Sequence, residues 1–226
     1  MEKPIMLNIT IPGLLLSTVL LAIFCAQPGS AQNVPAPVCR IAIYEEVSEL
    51  ADARAAVDLA RSDFEAYEKI FDMIKGLWDA KTIPDMDYTK AKYDRDAAKL
   101  TLEKNDLILE RQSALVEQYR LICNGTMDGS GNQDRKAAIR KTFLRYSQAD
   151  CSALAKGIEI AANNLEYNRQ YLQKIVKLRQ EKFATNTQII LAELNVEREE
   201  KSLADAKRRN ETCRAELADF ERSTLP

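Results

Sequence analysis

From Ile43 onward, apolar residues return every seven positions at Ile43, Leu50, Val57, Phe64, Phe71 and Trp78, with Ala53, Ala60, Tyr67 and Ile74 three places after their partners. A helix of about 3.6 residues per turn gathers such positions into one narrow stripe, the a/d seam of a left-handed coiled coil. Only Glu46 interrupts the seam, and no proline lies between Val38 and Ile83, so the spacing predicts an unbroken helix of about 37 residues, roughly 55 Å long. A stripe of this kind has to be covered by another helix.

Lys81-Thr82-Ile83-Pro84-Asp85 is the first punctuation. Thr82 is placed to cap a new helix, with Asp85 three residues on and Pro84 acceptable in the first turn, so the chain is expected to reverse here. The return helix runs from about Asp85 to Ile122, with Leu102, Leu109 and Val116 on one stripe and Leu100, Leu107 and Leu121 on a neighbouring one. Residues 124–134 are glycine-rich and read as a linker, with Asp134 the available cap for the basic amphipathic stretch Arg135–Tyr146.

A shift of 101 residues carries the first stripe onto Leu144, Cys151, Ile158, Leu165, Leu172 and Arg179, and its companion onto Leu154, Ala161, Asn168 and Ile175. Leu77, Lys81, Ala91 and Leu102 meet identical residues at Leu178, Lys182, Ala192 and Leu203. This is the pattern of an internal duplication, although heptad bias alone produces part of it. Thr185-Asn186-Thr187-Gln188 has the spacing of a capping box and marks the second turn.

Residues 1–31 have the form of a secretory signal: Lys3, an apolar run from Gly13 to Ala26, and small residues leading to an expected cleavage after Ala31. The run is shorter than the roughly 20 residues of a membrane span. Removing it leaves Cys39, Cys123, Cys151 and Cys213, an even number suited to an oxidising compartment. The midpoint of the first two is residue 81 and that of the last two residue 182, each at an expected turn and again 101 apart. Residues equidistant from the tip of an antiparallel hairpin lie side by side, so Cys39 is expected to pair with Cys123 and Cys151 with Cys213.

The expected fold is therefore all-α: two long antiparallel coiled-coil hairpins, residues 32–123 and 135–226, each tied by a disulfide, with no β domain. Whether the hairpins pack as a bundle or extend apart stays open.

The chain has no histidine, and its 32 basic residues nearly balance 34 acidic ones. The usual proton shuttle and metal ligand are missing, as is the basic excess that draws proteins to nucleic acid. No phosphate loop, cysteine-pair metal cluster or nucleophile elbow occurs. Catalytic residues, metal ligands and cofactors are therefore expected to be none, and pairs such as Asp94-Asp96 and Glu199-Glu200 read as solubilising charge. The candidate partner-binding residues are at the turns: Ile83 and Pro84 in the first, Phe183 and Asn186 in the second, with Ile83 and Phe183 offering apolar contacts. A plainer reading has them simply closing the seam. Arg135, Lys136, Arg140, Lys141 and Arg145 could meet an acidic partner or lipid headgroups, but a solvated helix face explains them as well.

Leu77–Ala91 (LWDAKTIPDMDYTKA) with the following KYDRDAAKLTLEKNDL, and Leu178–Ala192 (LRQEKFATNTQIILA) with ELNVEREEKSLADAKRR, resemble the helix-turn-helix segments of TolC-family outer-membrane efflux proteins and of periplasmic adaptors. The resemblance implies an export-related setting. It departs from both groups at the tips, where Thr82 or Phe183 stands in place of glycine, and in lacking their strand-rich domains. The expectation is a non-enzymatic structural or adaptor protein of a cell-envelope assembly, periplasmic or secreted, whose partner is an envelope protein. A holdase-type chaperone gripping clients between its arms is the alternative. Self-association and membrane contact are left undecided.

Overall fold

The computed structural model describes residues 36–124 and 132–223. The expected signal segment and most of the glycine-rich linker lie outside them. Four helices account for nearly all of the described chain: α1 Ala36–Asp79, α2 Asp85–Asn124, α3 Asn132–Gln180 and α4 Asn186–Ser223, with no strand among the described residues.

Helix ends follow the local chemistry. Pro37 sits in the first turn of α1, where its missing N–H has no intrahelical partner to lose. Asp85 and Asp87 open α2 and Asp134 opens α3, while Lys177 and Arg179 close α3, each favourable to the helix dipole. Asp134 thus lies inside the first turn rather than capping it. The basic stretch is continuous with the helix that follows, giving α3 its 49 residues. Arg135 ties the start of α3 to the end of α2: its Nε and Nη2 donate to the Leu121 and Ile122 carbonyls at 3.0 and 2.6 Å, satisfying acceptors that the end of α2 leaves open.

The two expected disulfides are present, Cys39–Cys123 and Cys151–Cys213, each with its Cα atoms 5.6 Å apart. They set the register of α1 on α2 and of α3 on α4. The Asn105 amide donates to the Ala56 carbonyl, and the Asn210 amide to that of Cys151. The hairpins do not stand apart. α2 and α3 pack antiparallel along their length, through Arg145–Glu117 at 3.0 Å, Arg111–Asp150 at 2.8 Å, Lys156–Glu103 at 2.9 Å and the Asn163 amide on the Tyr93 carbonyl at 3.2 Å. Among the described residues each helix touches only its neighbours in chain order, so the four helices form a single row, α1–α2–α3–α4. α1 and α4 are its edges, and because every step is antiparallel both hairpin turns lie at the same end.

A single row has seams but no deep interior. Its most buried apolar positions are dominated by alanine (Ala53, Ala60, Ala91, Ala114, Ala153, Ala161, Ala192), with Val57, Phe71, Val116, Leu165 and Ile175 as the larger members. The heptad stripe of α1 does face α2, with two departures. Tyr67 is exposed. Glu46, the residue that interrupts the stripe, meets a polar partner, since the buried Gln112 amide donates to the Glu46 carboxylate at 2.6 Å and to that of Glu49 at 3.2 Å. The two stripes of α2 also find their cause, because α2 packs against α1 on one side and α3 on the other.

Candidate functional site

The two turns are built alike. At the first, Lys81 adopts a left-handed backbone with φ 58°, its N–H bonds to the Trp78 carbonyl at 2.8 Å, and the Thr82 N–H reaches back to that of Leu77 at 3.0 Å. At the second, Lys182 has φ 66°, its N–H bonds to the Arg179 carbonyl at 3.0 Å, and the Phe183 N–H bonds to that of Leu178 at 2.8 Å. Both are Schellman closures, in which crossed hydrogen bonds satisfy the last carbonyls of a helix. The positive-φ residue is a lysine in each, 101 positions apart. The position that departs from glycine is therefore Lys81 or Lys182, not Thr82 or Phe183.

A second pairing repeats with different chemistry. Trp78 Nε1 donates to Asp85 Oδ1 at 2.8 Å across the first turn, and Arg179 Nε donates to Asn186 Oδ1 at 2.8 Å across the second. These four residues correspond under the same shift although none is conserved between the halves, so the equivalence of the tips is geometric. The first tip adds aromatic packing: Trp78 stacks on Tyr88 with centroids 4.5 Å apart, Phe71 lies 5.7 Å from Tyr88, and the Arg95 guanidinium sits 4.2 Å above the Phe71 ring. The second tip uses a capping box, the Gln188 N–H on Thr185 Oγ1 at 3.2 Å and the Thr185 N–H on Gln188 Oε1 at 2.8 Å. Thr82 behaves otherwise. Its hydroxyl donates backward to the Leu77 carbonyl at 2.8 Å, so it closes α1 and does not cap α2.

Of the candidate partner-binding residues, Phe183 is 80% exposed. Pro84 is exposed, Ile83 is half-buried, and Asn186 is exposed but engaged by Arg179. Ile83 and Phe183 are not counterparts. Under the repeat Phe183 corresponds to Thr82, and Ile83 to the buried Ala184.

Several charged groups elsewhere are occupied locally. Asp94 pairs with Lys90, Asp96 with Arg95 and Glu200 with Arg169. In the basic stretch Arg135 closes α2 and Arg145 pairs with Glu117, while Lys136 and Lys141 are exposed. Burial pushes the Glu46 carboxyl above its ordinary range, opposed by the Gln112 hydrogen bond, and burial likewise raises the nearby Tyr119 and Tyr146 hydroxyls. Hydrogen bonding to Glu103 and Glu159 raises Lys156. Two open grooves lie between neighbouring helices, one lined by Ala60, Asp63, Tyr67, Asp94, Ala97 and Thr101 and one by Asp96, Glu103, Lys156 and Glu159. Among the described residues no cluster of three or more His, Cys, Asp or Glu is arranged to hold a metal, and no helix is long and apolar enough to cross a membrane.

The sequence reading missed a feature of the edges. α1 exposes Leu59, Ile70, Met73 and Leu77, and α4 exposes Ile190, Leu191 and Leu194. The signal was present: Leu59, Ala66, Ile70, Met73 and Leu77 make a second three-and-four spaced stripe, roughly a third of a turn away from the packed seam. Comparisons with protein families, with curated proteins and with solved structures find no match, so the geometry of the tips and edges stands alone as the basis for a functional reading.

Proposed function

We propose that this chain is a non-enzymatic coiled-coil scaffold or adaptor of a cell-envelope assembly, exported by its N-terminal segment, that engages one protein partner through its paired tips. The observation that carries this reading is the presentation of two equivalent Schellman turns at one end of the row, with the Phe183 ring standing 80% exposed beyond the seam. Disulfides tying each outer helix to an inner one suit a periplasmic or extracellular setting. The TolC-like and adaptor-like pattern of residues 77–91 and 178–192 favours an export-related partner.

The test is capture from crosslinked envelope extracts by the wild type and by Phe183→Asp, alone and with Ile83→Asp. A charge introduced where an apolar contact is desolvated costs several kcal/mol, so the variants should lose the captured species while helicity and both disulfides persist. Undiminished capture by the double variant removes tip recognition. The holdase alternative draws on the exposed apolar stripes of α1 and α4. It requires that polar substitution along those stripes, and not at the tips, abolish protection of denatured clients from aggregation.

A further inference from the structure

We propose that the Cys39–Cys123 bridge is a redox switch: a dithiol reductant opens it in preference to Cys151–Cys213, and its opening releases residues 36–52 of α1 from α2. Independently of any tip partner, three features of the structure lead to this.

The first is where the bridges sit along their helices. Cys39 lies in the first turn of α1 and Cys123 is the penultimate residue of α2, so this bridge joins two helix ends. Cys151 and Cys213 lie well inside α3 and α4. Burial alone does not separate the two pairs, since each couples a buried cysteine, Cys39 or Cys151, to a half-buried one, Cys123 or Cys213. The sulfurs open to attack are therefore those of Cys123 and Cys213, and the leaving ones those of Cys39 and Cys151.

The second is charge. A thiolate attacking Cys123 arrives near the Arg135 guanidinium, which holds the Leu121 and Ile122 carbonyls and offsets the negative end of α2. Cys39 then leaves as a thiolate in the first turn of α1, where the helix dipole and open N–H groups stabilise negative charge. At the other bridge an Asp150 carboxylate oxygen stands 4.0 Å from the Cys213 sulfur, while Arg111 holds the other oxygen at 2.8 Å. An incoming thiolate meets that partly neutralised carboxylate, and Cys151 leaves from mid-helix with no dipole to help it. The opening balances as two thiol exchanges. The first thiolate of the reductant bonds to the Cys123 sulfur as the bond to Cys39 breaks, and its second thiol attacks the mixed disulfide and releases the Cys123 thiolate. The reductant departs as a disulfide, having given two electrons, and Cys39 and Cys123 take up two protons.

The third is what each bridge holds. Between Cys39 and Ala53 no residue of α1 is buried, and the stretch is fastened to α2 by the Gln112 amide on the Glu46 and Glu49 carboxylates. With the bridge open this end of α1 frays, uncovering the α2 face that carries Gln112, Val116 and Tyr119 at four- and three-residue spacing. The second bridge has support on either side along α4. The buried Asn210 amide donates to the Cys151 carbonyl at 2.7 Å, and Phe220 packs on Phe143 with centroids 4.3 Å apart, so α4 keeps both contacts when that bridge opens.

Stepwise reduction of the folded protein with dithiothreitol, quenched by alkylation and read by peptide mapping, tests this. Cys39 and Cys123 should be alkylated at least about tenfold faster than Cys151 and Cys213. Hydrogen exchange should then show residues 36–52 unprotected while α2 and α3 keep their protection. Arg135→Gln should slow opening of the first bridge and Arg135→Lys should restore it, whereas Asp150→Asn should speed opening of the second. In urea the preference should collapse, because the helix ends and the folded arrangement of charges no longer surround the sulfurs. Equal rates in the folded protein, faster opening of Cys151–Cys213, a preference undiminished in urea, or rates indifferent to Arg135→Gln and Asp150→Asn would each overturn the proposal. So would full protection of residues 36–52 after Cys39 and Cys123 have been alkylated.

Discussion

The inner helices α2 and α3 and the edge helices α1 and α4 have similar lengths and similar charge density, yet they live in different surroundings. Along α2 and α3 most residues are half-buried on nearly every side, because each has two neighbours. Along α1 and α4 burial recurs every third or fourth residue and the rest of the surface is open. A helix with one neighbour is held by one stripe, so at the edges the staples matter most. Both disulfides join an edge helix to an inner one, Cys39 of α1 to Cys123 of α2 and Cys213 of α4 to Cys151 of α3. They do so at different heights, about 42 and 31 residues from the lysines of the turns, or roughly 63 and 47 Å.

The sharpest contrast between edge and interior comes from opening a staple. Replacing Cys39 and Cys123, or Cys151 and Cys213, by serine should cost about 4 kcal/mol in each case, from the entropy of closing loops of 84 and 62 residues. Amide hydrogen exchange should show the loss concentrated in the released edge helix, while α2 and α3 stay protected. Uniform loosening of all four helices would mean that the inner pair has no independent hold.

Within one edge helix, the packed and open faces should separate cleanly. Phe71, buried between α1 and α2 beside Tyr88 and Arg95, should cost about 3 kcal/mol when truncated to alanine. Leu59→Ala on the open face should cost less than about 0.5 kcal/mol under conditions where the protein is monomeric. Equal losses in urea titrations would show that the back of α1 is covered within the chain.

The polar step in the α1–α2 seam gives a pH-dependent comparison. Burial raises the Glu46 carboxyl in the folded protein, so the folded state holds that proton more tightly than the unfolded state. Its contribution is most favourable at low pH and is lost as pH rises from the ordinary glutamate value through the raised folded one. Glu46→Gln keeps an acceptor for Gln112 and removes the charge. It should stabilise the protein at neutral pH by less than about 1 kcal/mol, since the half-open seam is screened by solvent, and flatten that part of the stability-pH profile. An unchanged profile would place the carboxylate in water.

The smallest effect concerns the turns. Lys81 and Lys182 hold left-handed backbone at positive φ, a conformation that costs a residue with a Cβ about 1 kcal/mol or more. Glycine relieves that cost but makes the unfolded chain looser, so Lys81→Gly and Lys182→Gly should each raise stability by only a few tenths of a kcal/mol. The two tips should respond alike in thermal melts, as their shared hydrogen-bond pattern requires.

Much of this architecture can be read from periodicity. The seam of α1, the four helices, both disulfides and the Thr185–Gln188 box follow from spacing, because coiled-coil packing and hairpin symmetry translate sequence distance directly into position. The first turn is harder. Thr82 precedes one helix and follows another, and sequence does not say which set of open backbone groups its hydroxyl serves. The left-handed lysines are invisible to a rule that looks for glycine. The contact between α2 and α3 had a signal in the two stripes of α2, and the edge stripe of α1 had one in Leu59, Ile70, Met73 and Leu77. A search that stops at the strongest stripe of each helix passes over both.

The open row is tested most directly by the distance between its edges. Spin labels at Lys69→Cys on α1 and Glu197→Cys on α4, in protein diluted with excess unlabelled chain so that only pairs within one chain report, measure it by electron double resonance. With helix axes about 8 to 10 Å apart at each of three successive steps, the row predicts a mean separation beyond about 20 Å. A sharp distribution near one helix spacing, about 10 Å, would show that α1 and α4 close on each other and that the chain is a four-helix bundle.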